Sequence, residues 1–412
     1  MDQASKQVPQ RAVNASEGMS SPPLVYFFLL LPFGIGNGFL MVTLPFVLAK
    51  QGWSVAAIAG LVAIGSSTNL WRFLWSPIVD LTLSTRTWYL LGLIPAAVAM
   101  GVLGVVPPRE GWVFTGLVLF SQVAGTMVIC PVAGMIAHTV KEDGQGRASG
   151  WYQAGNLGGT GIGGGMGVWL VAHSTYVMAC WVLALTTLLS ALALRWVPNV
   201  HALPGDRISV RLKELGRDFW TLIRSRKTLY VVILVMSPIG IGASSGLWSA
   251  VASEWQVSDN TVALVTGTLA GIASVVGCVI GGWVCDRIGR FWALFGSGTL
   301  LAILAVVMAA TPHTPVAYCV VVLLYALLMG VSFGAFTAIV LFAVGKGAAS
   351  GKYAIIASLG NLPCVYMVAL NGWAHDRWGA SGMLYFEAIV AVPVVILGVI
   401  GLRMIQSNTN DC

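Results

Sequence analysis

Long apolar stretches separated by short polar ones set the pattern of this chain. Charge-free runs cover 22–49, 51–71, 88–108, 111–140, 148–194, 228–253, 260–285, 291–345 and 353–375; a tenth run, 380–402, holds one charge, Glu387. About 20 residues of helix cross a hydrocarbon layer about 30 Å thick, so every run can span a membrane. Two can span twice, since 148–194 is interrupted near His173 and 291–345 near Thr311-Pro-His-Thr-Pro315. Lipid leaves backbone polar groups no partners outside helices or closed barrels. The pattern therefore predicts an all-α membrane protein with twelve transmembrane helices.

The pattern also repeats. Pro32-Phe-Gly34-Ile-Gly36 matches Pro238-Ile-Gly240-Ile-Gly242, and Asp80 matches Asp286, both at an offset of 206, half of 412. Ala148-Ser-Gly150-Trp-Tyr152, followed by Gly155-Asn-Leu157, echoes Ala349-Ser-Gly351-Lys-Tyr353, followed by Gly360-Asn-Leu362. The expected organisation is a tail (1–21), a six-helix bundle (22–194), a linker (195–227), a second six-helix bundle (228–404) related to the first by pseudo-twofold symmetry, and a second tail (405–412). Parallel repeats of this kind build alternating-access carriers. The match also predicts a break in span 1 as well as in span 7.

Composition agrees: 57% of residues are hydrophobic, 9% are charged and mean hydropathy is +0.84. Soluble domains carry about 25% charged residues, so a water-soluble enzyme is excluded. Of the 22 Lys and Arg, 19 fall on the side of the two termini and only Lys50, Arg109 and Arg377 on the other. By the positive-inside rule both termini are expected in the cytoplasm of a bacterial inner (plasma) membrane. The net charge of +7 then reflects topology and anionic lipid rather than nucleic acid. The first 21 residues lack an apolar core with a cleavage site and read as a tail. In the linker, Val210, Leu212, Leu215, Phe219, Leu222 and Ile223 are interleaved with Arg211, Lys213, Arg217, Arg224 and Arg226, which predicts a basic amphipathic helix on the leaflet.

The sequence Gly281-Gly-Trp-Val-Cys-Asp286-Arg287-Ile-Gly289-Arg290 closely resembles the loop signature of the major facilitator superfamily, and Trp75-Ser-Pro77-Ile-Val-Asp80…Arg86 is a degenerate counterpart. The resemblance implies the major facilitator fold and a cytoplasmic latch formed by Asp80, Arg86, Asp286, Arg287 and Arg290. Arg72-Phe-Leu-Trp-Ser-Pro-Ile-Val-Asp80 and Tyr353-Ala…Gly372-Trp…Trp378-Gly…Tyr385-Phe…Ala391-Val-Pro393 are similar to AmpG-type muropeptide permeases, a branch shared with RhtX/FptX siderophore importers and acetyl-CoA transporters. Two features depart from that branch: residues 111–139 hold no acid where span 4 usually carries one, and bacterial members are often longer.

Buried polar groups need partners or water, so polar residues inside spans mark a solute pocket or interhelical hydrogen bonds. The candidates are Asn37, Asn69, Gln122, Gln153, Asn156, Ser245, Trp248 and Asn361, with Ser244 beside them. The resemblance favours Asn37, Gln122 and Trp248, because spans 1, 4, 7 and 10 line the cavity in that superfamily. Arg72 either snorkels to phosphate or attracts an anionic solute. Glu387 is a candidate proton carrier, although a partly solvated or interfacial place is the first expectation for it, span 12 being peripheral in this fold. Lys50 and Glu254 end spans 1 and 7 at nearly equivalent positions and are the candidate outer gate pair.

Other motifs fall away. Gly159-Thr-Gly161-Ile-Gly-Gly164 has GxGxxG spacing but lies inside a span, and reads as helix packing. Five histidines and seven cysteines show no metal spacing, so no metal is expected. No GxxxxGK[ST] exists to bind ATP, so secondary transport without a cofactor is expected, and the branch resemblance implies that the proton-motive force drives it. The expectation is a monomeric secondary transporter, not an enzyme, whose partners are a medium-sized polar solute and membrane lipid. Import of a muropeptide-like or siderophore-like compound by proton symport leads; drug or metabolite efflux, or a transport-inactive receptor or scaffold, are the alternatives.

Overall fold

A computed structural model of the chain describes residues 21–108, 111–140, 142–199, 226–344 and 355–410, with Lys213, Gly216, Arg217 and Trp220 of the linker. The two tails, apart from residues 21 and 405–410, and most of the linker helix lie outside these residues. Every regular element among the described residues is helical, and the helices form two bundles. Span 1 is Val25–Lys50; span 2 is Val55–Ser66 and Thr68–Leu81, joined at Ser67; span 3 is Thr85–Val105. Span 4 is Trp112–Met127 and Ile129–Thr139; span 5 runs through Glu142–Gly161, Ile162–Met166 and Gly167–His173; span 6 is Tyr176–Trp196. In the second bundle, span 7 comprises Arg226–Val235 and the short pieces Ala243–Gly246, Trp248–Val251 and Ala252–Trp255. Spans 8, 9 and 10 are Asp259–Ile288, Arg290–Ala310 and Pro315–Val344. Spans 11 and 12 share one helical stretch, Leu362–Asn410, that turns at Gly379 (φ +69°). Twelve spans result.

Glycine determines how closely these helices approach. A Cβ on Gly34 would sit 2.2 Å from the Asn156 carbonyl oxygen, and one on Gly163 would sit 2.0 Å from that of Ile35, so spans 1 and 5 touch backbone to backbone. This is the packing role expected of the GxGxxG stretch. Spans 8 and 10 are joined in the same way, at Gly277 and Gly330. Each contact line includes or borders a π-helical turn: Phe39–Thr43 in span 1, Ile162–Met166 in span 5, Ala263–Leu269 in span 8. Such turns leave carbonyls to be satisfied from outside the helix. The Thr43 hydroxyl donates to the Gly163 and Gly164 carbonyls at 2.6 and 3.1 Å.

The expected break in span 1 is absent. Span 1 stays helical through Pro32, held against span 5 by its glycines, and only its π turn departs from α geometry. Span 7 is broken, because Gly240 (φ +70°) and Gly242 (φ +64°) take left-handed conformations that residues with a Cβ seldom adopt. The same five-residue pattern thus gives a continuous helix against span 5 and a break where Gly240 packs on Gly298 and Ser332.

Candidate functional site

The bundles meet along a seam that is closed at the end carrying Lys50. Spans 2 and 11 pack there, with a Cβ on Gly372 falling 2.3 Å from that of Ala59, and spans 5 and 8 touch at mid-depth, where Gly165 faces Gly267. Hydrogen bonds between described residues cross the seam at three places. The Ser249 hydroxyl donates to the Val42 carbonyl at 2.8 Å, Lys50 Nζ donates to Asp259, and the Ala56 amide donates to Asp376 Oδ1 at 3.1 Å. The last places a carboxylate on the free N–H groups at the start of span 2, where the helix dipole favours it.

The expected Lys50–Glu254 pair is corrected here. Lys50 meets Asp259 at the start of span 8, while Glu254 accepts from His375 at 2.5 Å, with Asp376 3.6 Å from the other ring nitrogen. Half-length symmetry aligns Lys50 with Glu254, but the closed seam brings the end of span 1 to the next element along.

The second correction concerns Glu387. Eight residues beyond Gly379, and so about 12 Å along the helix, its side chain is only 9% exposed and not interfacial. Three spans donate to it: Ser244 Oγ from the broken span 7 and Asn371 Nδ2 (2.9 Å) from span 11 reach Oε2, and the Tyr325 hydroxyl (2.5 Å) from span 10 reaches Oε1. Asn371 Nδ2 also reaches Ser244 Oγ at 3.1 Å. A cavity no larger than a single water borders the carboxylate, lined by Pro238, Gly240, Gly242, Leu301 and Met367 among others. Sequence reasoning singled out Glu387 and Ser244 but not Tyr325 or Asn371. An asparagine within a charge-free run was the available signal.

The other candidates are scattered. Trp248 is buried, edge-on to Tyr325 (5.3 Å) and Tyr318 (6.4 Å), and offers no open face. Its carbonyl accepts from Tyr318 at 2.9 Å, while its Nε1–H is buried without a partner. Gln122 is buried and donates to the Gly36 carbonyl at 3.1 Å, bridging spans 4 and 1. Asn361 is turned onto its own helix, donating to Ala357 at 2.9 Å and Ser358 at 3.4 Å. Asn37, Asn69, Ser245 and Arg72 are half-buried, Gln153 is exposed, and Asn156 carries a buried oxygen with no partner. Of the latch residues, Arg86 donates to the Val197 carbonyl at the end of span 6, Asp286 is exposed, Arg287 stacks on Trp283 at 5.0 Å, and Arg290 is half-buried. The Asp80 side chain lies outside the described residues.

Known proteins give the arrangement its context. The Major Facilitator Superfamily profile matches residues 26–366. The anhydromuropeptide permease of Escherichia coli (strain K12) is 24% identical over 93% of this chain and 81% of its own length. Among solved structures, a POT family transporter in complex with a thioalcohol-conjugated peptide superposes with a TM-score of 0.71 at 12% identity, covering 93% of this chain and 96% of that one. The nucleoside transporter NupG gives 0.69 at 11% (92% and 98%), and a D-xylose–proton symporter gives 0.66 at 14% (90% and 96%).

Proposed function

Because the chain belongs to the major facilitator superfamily and is a multi-pass membrane transporter rather than an enzyme, we propose that it imports a muropeptide-like solute driven by a proton gradient. Similarity to the anhydromuropeptide permease along 93% of the chain is the observation that carries the choice of solute. The charge bias supports placing both termini in the cytoplasm of an inner membrane. On that orientation the closed Lys50 end faces outward, so the conformation is one shut to the outside, as an alternating-access cycle requires of one of its states. A muropeptide joins sugar hydroxyls and amides to peptide carboxylates. The half-buried Asn37 and Asn69 could serve the first, and the half-buried Arg72 the second.

Purified protein in vesicles tests this with radiolabelled anhydromuropeptide inside a set that includes a ferric siderophore and a nucleoside. Accumulation of the muropeptide above the bath concentration, abolished by a protonophore, is the expected result. Accumulation of another solute instead, or outward movement only, overturns the reading.

A further inference from the structure

We propose that Glu387 is the group that carries the driving proton, and that Ser244 passes its charge state to the seam between the bundles. This rests on the proton-driven reading above. An ionised carboxylate only accepts hydrogen bonds, and each of the three polar side chains around Glu387 donates one. The rest of its surroundings is apolar: Gly298, Leu301 and Ala302 of span 9 and Met367 of span 11 complete the wall. Of the groups among the described residues that face it from spans 7, 9, 10 and 11, Tyr325 is the one titratable side chain.

The same site can also hold the neutral acid. Asn371 Oδ1 is buried with no hydrogen-bond partner, on the amide whose nitrogen now sits 2.9 Å from Glu387 Oε2. When a proton binds Oε2, half a turn of the amide replaces N–H with Oδ1, and the new O–H donates to it. Ser244 Oγ then loses its acceptor on the carboxylate. The same amide can therefore donate to the ionised form or accept from the neutral one, the latter turning its N–H groups toward the space where Oδ1 now has no partner.

Ser244 links this to transport because it lies in the short turn Ala243–Gly246, next to the two left-handed glycines that break span 7. From the same turn, a Cβ on Gly246 would lie 3.2 Å from Met41 and 3.4 Å from Val62 of the first bundle, and Ser249 one turn on donates across the seam to Val42. The turn is therefore hydrogen-bonded to Glu387 on one side and packed against the opposite bundle on the other.

Infrared difference spectra of wild type and Glu387→Gln in bilayers, taken between mildly acid and mildly alkaline pH, test proton binding without any solute. A carboxylic-acid band that grows on acidification and is missing in the variant is expected; identical spectra overturn the proposal. In vesicles, Glu387→Gln should keep solute self-exchange while gradient-driven accumulation collapses to equilibration. Retained accumulation would refute the role of Glu387, whereas failure of wild type to accumulate would count against the proton-driven reading instead. Ser244→Ala removes a donor that only the ionised form uses, so the pH midpoint of uptake should move to higher pH by about one unit. An unmoved midpoint overturns the link through Ser244.

Discussion

Two charged contacts lie at the Lys50 end, Lys50–Asp259 across the seam and His375–Glu254 within the second bundle, and their surroundings separate their strengths. The Lys50 and Asp259 side chains are 50% and 39% exposed, whereas those of His375 and Glu254 are 14% and 33% exposed. Exposed ion pairs contribute about 0–1 kcal/mol because water and salt screen them. Removing the partner of a half-buried carboxylate costs more, about 1–2 kcal/mol, since the group left behind keeps part of its desolvation penalty. We therefore expect Lys50→Ala to leave the melting of the purified protein nearly unchanged and His375→Ala to lower it measurably; the reverse order would show that the exposed pair holds the seam. These residues also mark what single positions reveal in sequence. Lys50, Glu254 and Glu387 are visible there because a charge beside or inside an apolar run is rare. Their partners are not, because Asp259, His375, Tyr325 and Asn371 come from other spans, and which of them arrives is decided by the seam and by the kink at Gly379.

At the scale of elements, twelve spans, their glycine-lined contacts and the packing role of the GxGxxG stretch were all legible, since each follows from length, apolar content or small side chains alone. The difference between span 1 and span 7 was not, because the local pattern is shared and the two copies meet different neighbours, span 5 at Gly34 and spans 9 and 10 at Gly240 and Gly242. The π turns were equally hidden, lying where spans meet, Thr43 on Gly163 and Gly164 and Gly267 against Gly165, rather than following from any one segment. Where spans 5 and 8 touch, a Cβ on Gly267 would lie 2.3 Å from the Gly165 Cα, a backbone atom with no room to yield. Gly267→Val should therefore hold the bundles apart at the Lys50 end, lowering uptake by about tenfold or more, equivalent to at least 1.4 kcal/mol against closure. Gly271→Val on the same span meets open space and serves as the control. Spin-label distances across the seam should lengthen in the first variant and not in the second, and equal distances in both would remove Gly267 from the closure.

The whole molecule is a pair of similar bundles whose contacts include a seam closed at one end, and the duplication was readable from offsets of half the chain length. The conformational state was not, because a carrier must encode both ends of its cycle in one sequence and neither is preferred by the repeat itself. The state dictates which residues are neighbours: Lys50 reaches Asp259 here rather than the Glu254 that symmetry suggests. Cysteines placed by Lys50→Cys and Asp259→Cys, in a background cleared of the seven native cysteines, should consequently cross-link in solute-free protein. Cysteines at Lys50 and Glu254 should do so far less. If the bundles rock about a central site, a 50–259 cross-link traps the closed seam, so uptake should stop on oxidation and return on reduction, while the singly substituted proteins keep working. Undiminished uptake through the cross-linked protein would mean that the Lys50 end need not open, and alternating access by movement of the two bundles would fail for this chain.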